Sequence, residues 1–315
     1  MKIIPIAFDS FGVRSMSTFV MTRDVNIYID PGVALGPTRY GLSPTKAEYQ
    51  AVDSAREKIM EVCREYADIV VVTHYHYDHH PFPDDGEMYE ACFKGKIVFA
   101  KDRTKNINLS GKSRGRIFEK NTKSFVKSLK WADRTKTSFG KTVLEFSPAV
   151  WHGDVGSKVG KVIMVYIKEG KSSFLFGSDA QGLADPDALN WFVKKNPDFA
   201  ILDGYPTIFV GWRMKAANFE KSKNHLKRAL DKTKVKTMIL EHHILRDINY
   251  KEKMNDVFRV AKKLSKKILT TAEFYGFENL FLEAWRKEIT EGKRTVDVKT
   301  YYKNLFSKID NMIKS

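Results

Sequence analysis

Cysteine is nearly absent: Cys63 and Cys92 are the only two in 315 residues. Two thiols give no disulfide framework, and neither adjoins a histidine-rich string, so a reduced, cytoplasmic protein is expected. Long apolar runs are missing too. No stretch approaches the roughly 18 uncharged apolar residues of a membrane helix, so no membrane partner is expected. The opening Met1-Lys2-Ile3-Ile4-Pro5-Ile6-Ala7-Phe8 is too short an apolar run for a signal peptide and reads as a first strand. No Gly-x-Gly-x-x-Gly or Walker string occurs, which argues against a nucleotide cofactor. No period of roughly 20–50 residues recurs, which excludes a solenoid.

Histidine, by contrast, is clustered. Seven of the eight stand at three sites: His74, His76, His79 and His80; His152; His242 and His243. Imidazole is the commonest neutral metal ligand and the usual acid–base group near neutral pH. Thr73-His74-Tyr75-His76-Tyr77-Asp78-His79 directly follows the apolar run Ile69-Val70-Val71-Val72. Three imidazoles and a carboxylate at a strand end form an N/O site suited to zinc or iron. Alternate residues beyond a strand end project one way, so His74 and His76 can chelate one ion, and the following turn aims Asp78 and His79 at another. Taken singly, His152 reads as a satisfied core histidine and Asp179, in Ser178-Asp179-Ala180, as a turn former.

The remaining pattern is α/β. Strands are expected around 3–8, 17–22, 25–30, 69–73, 97–100, 142–146, 162–167, 173–176, 200–202 and 238–240, with Glu169-Gly170-Lys171 as a hairpin turn. Helices fit 44–66, 215–231, 251–268 and 277–289, and 81–92 reads as a loop or short helix. The stretch Arg103 to Gly115 has turn formers and no apolar period, so a mobile basic loop is expected there. Strands first, then strand–helix alternation, twice over, predicts a layered α/β sandwich. Residues 1–290 are read as a single domain and 291–315 as a polar, exposed helix or tail.

His-x-His-x-Asp-His is the signature of the metallo-β-lactamase superfamily, and the chain resembles it further. The family's upstream strand ending in aspartate is matched by Val25 to Asp30, its lone histidine by His152, its bridging aspartate by Asp179, and its final strand-closing histidine by His242. The whole looks most like a group of prokaryotic predicted metal-dependent hydrolases of that superfamily. The resemblance implies a four-layer αββα sandwich. It also implies two divalent transition-metal ions, zinc first, with iron or manganese as options. His74, His76 and His152 would bind one ion; Asp78, His79 and His242 the other; Asp179 would bridge. The implied chemistry is hydrolysis by a metal-bridging hydroxide, with Asp78, His243 and Arg246 as catalytic candidates. A phosphoester substrate is favoured over a lactone or thioester. An iron-dependent redox enzyme and a nucleic-acid-binding module stay as alternatives, and a secreted antibiotic-degrading enzyme does not fit the cysteine usage.

Some positions have two readings. Neighbouring strand residues face opposite ways, so His242 and His243 compete for one ligand place. Asp30 either holds a ligand histidine through its other ring nitrogen or begins the turn Asp30-Pro31-Gly32. Asp203 stands where related enzymes carry a supporting acid. Arg246 pairs either with a substrate phosphate or with a neighbouring carboxylate. His80 either supports a ligand or lies on a surface loop, and Tyr75 and Tyr77 read as packing residues.

Charge is the last feature. The formal net charge is +16. Between Lys94 and Lys141 stand 15 Lys/Arg and three acids, Asp102, Glu119 and Asp133, a local balance of +12. Such a segment is either a platform for nucleic acid or a solvated lysine-rich surface of the kind hyperthermophile proteins carry. Lysine outnumbers arginine, the better bidentate phosphate ligand, so the sequence favours a small anionic substrate over a polymer.

Overall fold

A computed structural model describes residues 1–315, which form two compact units. The first comprises Met1–Ala100, Arg114–Lys130 and Thr271–Ser315. Its six-stranded sheet runs β1 (Lys2–Phe8), β2 (Met16–Met21), β3 (Asn26–Ile29), β4 (Ile69–Val72), β5 (Ile97–Ala100), β6 (Ser128–Trp131). The β1–β2 and β2–β3 pairs are antiparallel, and β3–β4–β5 is parallel. All four residues of β4 are buried, as expected of a parallel strand covered on both faces. Helix α1 (Lys46–Tyr66) begins with a reciprocal capping box between Thr45 and Glu48 and buries Ala51, Ala55, Ile59, Val62 and Cys63. Helix α2 (Gly86–Phe93) is capped by Asp85.

The second unit comprises Lys101–Ser113 and Trp131–Thr270. Its seven-stranded sheet has the order β15 (Lys267–Leu269), β14 (Thr237–Glu241), β13 (Phe199–Asp203), β12 (Ser172–Phe176), β11 (Val165–Glu169), β8 (Thr142–Phe146), β7 (Lys136–Phe139). The β7–β8–β11–β12 part is antiparallel, with the expected turn at Gly170, and β12–β13–β14–β15 is parallel. A short pair, β9 (Val150–Trp151) and β10 (Lys161–Val162), stands apart from that sheet. Helices α4 (Pro186–Lys195) and α5 (Ala216–Lys232) follow β12 and β13. Each unit thus repeats the sequence pattern of antiparallel strands leading into parallel ones. No helix is long and apolar enough to cross a membrane.

Several local expectations are corrected. Of the loop expected over 103–115, residues 103–108 are irregular, but 109–115 belong to helix α3 (Leu109–Thr122). Its buried residues are Gly115, Phe118 and Thr122, a helical spacing carried by two small residues that no apolar count registers. Asn108 supports the first turn by accepting the Gly111 N–H at 2.8 Å. The single helix expected over 251–268 is instead α6 (Tyr250–Lys253), α7 (Asn255–Lys263) and the edge strand β15. Ser265, at φ 54°, reverses the chain after α7. Of the helix expected at 277–289 only the end is helical, in α9 (Arg286–Thr290); residues 277–285 are irregular and follow α8 (Thr271–Tyr275), which Gly276 ends at φ 81°. The stretch from 291 holds α10 (Val298–Lys314), which buries Val298, Tyr302, Leu305, Ile309 and Ile313.

Candidate metal centre

In the first unit, β3 and β4 are parallel neighbours, so Asp30 and Thr73 leave the sheet at the same carboxyl edge. Open α/β sheets hold ligands at such edges. Asp30, fully buried with φ 52°, accepts the Thr73 N–H on Oδ1 at 2.7 Å and the Thr73 hydroxyl on Oδ2 at 2.6 Å. The same Oδ2 accepts His79 Nδ1–H at 2.8 Å. Burial raises the Asp30 pKa despite the opposing pull of His79 and Thr73. Of its two readings, Asp30 therefore follows the first: it fixes the ring of His79 and turns Nε2 the other way.

The turn that carries the ligand-type residues is tight. His79 N–H and His80 N–H both donate to the carbonyl of His76, at 2.9 and 3.3 Å. Gly32 is pressed against this turn: a Cβ there would stand 2.2 Å from His80 N and 2.4 Å from His79 C. His74 and His79 are buried with ring centroids 4.1 Å apart, and His76, half-buried, lies 4.6 Å from His74. Asp30, His74 and His79 each bring one ligand atom within 4.8 Å of the others. Asp78 is half-buried at the turn.

His80 is not a surface residue. It is buried among Tyr75, Tyr77 and Phe118, and burial lowers its pKa to about 3, so it is neutral. Tyr75 packs on Phe118, as its packing role requires. Tyr77 stacks on Phe82 and also takes the guanidinium of Arg114 over its ring at 4.6 Å.

In the second unit, β12, β13 and β14 are parallel, so Asp179, Asp203 and His242 all come from one edge. Asp179 is fully buried, and its Oδ2 lies 3.0 Å from His152 Nε2 and 3.7 Å from His242 Nε2. Asp203 accepts the His243 N–H on Oδ1 at 3.0 Å and Nδ1–H on Oδ2 at 2.9 Å. It is the counterpart of Asp30. Burial, then Asp179, pushes the Asp203 carboxyl up; burial, then Arg246 and His242, pushes His243 down.

The competition between His242 and His243 rested on a continuing strand, and the strand does not continue. It ends at Glu241, and His242 opens a short 3-10 turn at φ 60°. The turn brings one ligand atom each of Asp179, His242 and His243 within 4.8 Å. Arg246 is buried, with Nη2 3.4 Å from His242 Nε2.

Sequence reasoning missed Thr73 and Gly32. Thr73 matters through a carboxylate 43 positions away, and Gly32 through a backbone contact, neither of which leaves a local pattern. The string Asp30-Pro31-Gly32 after a strand was the one available hint.

The fold defines the class. The metallo-β-lactamase fold protein YhfI of Bacillus subtilis superposes with a TM-score of 0.52 at 15% identity, over 88% of this chain and 96% of its own. The chain accordingly has the metallo-β-lactamase fold, the α/β class expected from sequence. It belongs to the UPF0282 family: the family's protein from Pyrococcus furiosus is 42% identical over 306 residues, 95% of this chain and 94% of that one. The member from Methanocaldococcus jannaschii is 39% identical over 93% of this chain and 98% of its own length. No protein-family model matches the chain.

Proposed function

We propose that the chain is a metal-dependent hydrolase that cleaves a phosphoester of an anionic substrate. One observation carries the reading. In each unit a buried carboxylate at the end of a parallel strand holds a histidine by Nδ1, Asp30 with His79 and Asp203 with His243. Carboxylate-held imidazoles are the usual supports of a metal site, and the donor set of nitrogens and carboxylate oxygens fits zinc or iron. Following the family pattern, His74, His76 and His152 would hold one ion, Asp78, His79 and His242 a second, and Asp179 both. Divalent ions held there would acidify a water to a pKa of about 7 and would offset charge on phosphoester oxygens.

The chain's own residues do the rest. Asp30 and Asp203 fix the rings of His79 and His243. His243, kept neutral by burial, is the group for proton exchange at Nε2. Arg246 adds a cation beside His242.

The test is metal content of protein purified without added metal, measured with turnover of bis(p-nitrophenyl) phosphate and of a lactone panel. About two ions per chain and turnover of the phosphodiester are expected. Turnover confined to lactones would move the enzyme to the lactonase class.

A further inference from the structure

The basic segment divides sharply from the rest of the surface. The rest of the chain is nearly balanced, with 39 Lys/Arg against 35 acids, and some of its lysines are paired: Lys58 with Glu61 and Asp310, Lys195 with Glu145, Lys227 with Asp256, Lys293 with Glu291. That is the ion-pair pattern of a lysine-rich stabilised surface. Arg116, Lys120, Lys123, Lys127 and Lys130 are all exposed, and none enters an ion pair. The one acid of α3, Glu119, is half-buried. Arg116 and Lys120, at i and i+4 on one helix face, repel each other, a cost that a bound anion relieves.

Their spacing is regular. Arg116 and Lys120 lie one helical turn apart, about 6 Å along the axis, and Lys123 continues the same face at the end of α3. Neighbouring phosphates of an extended single strand repeat at a similar distance. Arg114, two residues before Arg116, turns the other way: Nη1 donates to the carbonyl of Tyr75 at 3.4 Å, and the guanidinium covers the ring of Tyr77. The cationic row therefore runs along the face of α3 opposite the one that Arg114 and Phe118 turn to the histidine turn 74–80.

We infer that this row binds the phosphodiester backbone of a single-stranded nucleic acid. The inference deepens the phosphoester reading by making the substrate polymeric. It rests on that reading for the chemistry of cleavage but not for binding.

Fluorescence anisotropy of labelled single-stranded RNA and DNA of about 20 nucleotides, with metal-stripped protein, tests it. Each neutralised phosphate contributes about −0.7 to the log–log salt slope on single strands, so five contacts give about −3.5. The triple variant Arg116→Glu, Lys120→Glu, Lys123→Glu is expected to weaken binding at least tenfold and flatten the slope by about 2. Reversal of the matched lysines Lys227, Lys287 and Lys293 should leave binding within about twofold. Should the first variant fold poorly, the glutamine versions at the same three positions are expected to give the same order of effects.

Equal losses in both triple variants, or oligonucleotides held no better than inorganic triphosphate, would overturn the inference. So would binding to anionic vesicles that matches binding to the oligonucleotides. Hydrolysis of bis(p-nitrophenyl) phosphate by the unchanged enzyme is a separate readout. Its absence beside salt-sensitive binding would sink the hydrolase reading and leave the binding surface standing.

Discussion

Asp30 carries no expected chemistry of its own, yet it receives three hydrogen bonds, from Thr73 N–H, the Thr73 hydroxyl and His79. Such supports govern metal affinity through the ligand they orient, and losing one costs about 10–100-fold. Asp30→Ala is expected to show that loss in chelator competition, and unchanged affinity would remove Asp30 from the site. Asp179→Ala should lose more metal than His80→Ala, since the family pattern gives Asp179 both ions and His80 none. Equal metal content in the two variants would refute the bridging assignment.

Asp247, which closes the turn His242–Arg246, gives a pH test at a residue that is not itself a ligand candidate. Burial would raise its pKa, but hydrogen bonds from Lys253, Thr207 and the Asn249 N–H hold it below the usual carboxylate range. The lowered folded value means its contribution is present above the unfolded pKa of about 3.9 and fades as pH falls through the folded value. Asp247→Asn should cost about 1–2 kcal/mol at pH 7 in urea titrations, with the gap closing below about pH 3.9. A gap independent of pH would contradict the assignment. Ligand-type residues were legible at this scale because metal chemistry allows few side chains and the turn gathers four histidines within seven positions, 74 to 80. Their supports were not, because burial and long-range hydrogen bonds select them.

At the scale of elements, the strands that build each parallel edge were legible from short apolar runs such as Ile69–Val72. Elements whose buried face is made of small residues escaped notice. Helix α3 is one, its contact face reading Gly115, Phe118, Thr122. Strands β6 and β7 escaped for another reason: Ser128–Trp131 and Lys136–Phe139 are at most half-buried and carry little apolar signal. Two glycines make the dependence on contact testable. Gly32→Ala forces a Cβ into the backbone of His79 and His80 and should cost about 1–3 kcal/mol or more, with loss of bound metal. Gly86→Ala, at the start of α2 with nothing within 4 Å of the added carbon, should stabilise by about 0.4–1 kcal/mol. Equal melting shifts for the two would mean that the turn yields freely.

At the scale of the whole molecule, the first unit is assembled from three separate chain segments. Its last segment is integral to it, whatever the polarity of its sequence. Tyr302 donates to the carbonyl of Phe11 at 2.8 Å, and α10 packs against α1 and β1. Removal of residues 291–315 uncovers the partners of five apolar side chains and should abolish cooperative unfolding of the first unit, seen by calorimetry. A truncated chain that melts as the intact one does would show α10 to be dispensable. The polar composition of the segment hid this role, because only one face of the helix, at i, i+4, i+7 and i+11, meets the sheet and α1.

Arg286 illustrates what a discontinuous unit demands of synthesis. It is fully buried, bound to both oxygens of Glu48 and to the carbonyls of Gly36, Pro37 and Leu42. The two charges are 238 positions apart. At a translation rate of about 5–20 residues per second, Glu48 leaves the ribosome roughly 10–50 s before Arg286. During that interval a carboxylate destined for a dry interior has only its own helix cap for company, while the whole stretch Trp131–Thr270 is made and can fold first. The unit whose strands are made first is therefore the last to close, and the nascent chain keeps its first histidine turn on unfinished ground until the final segment arrives.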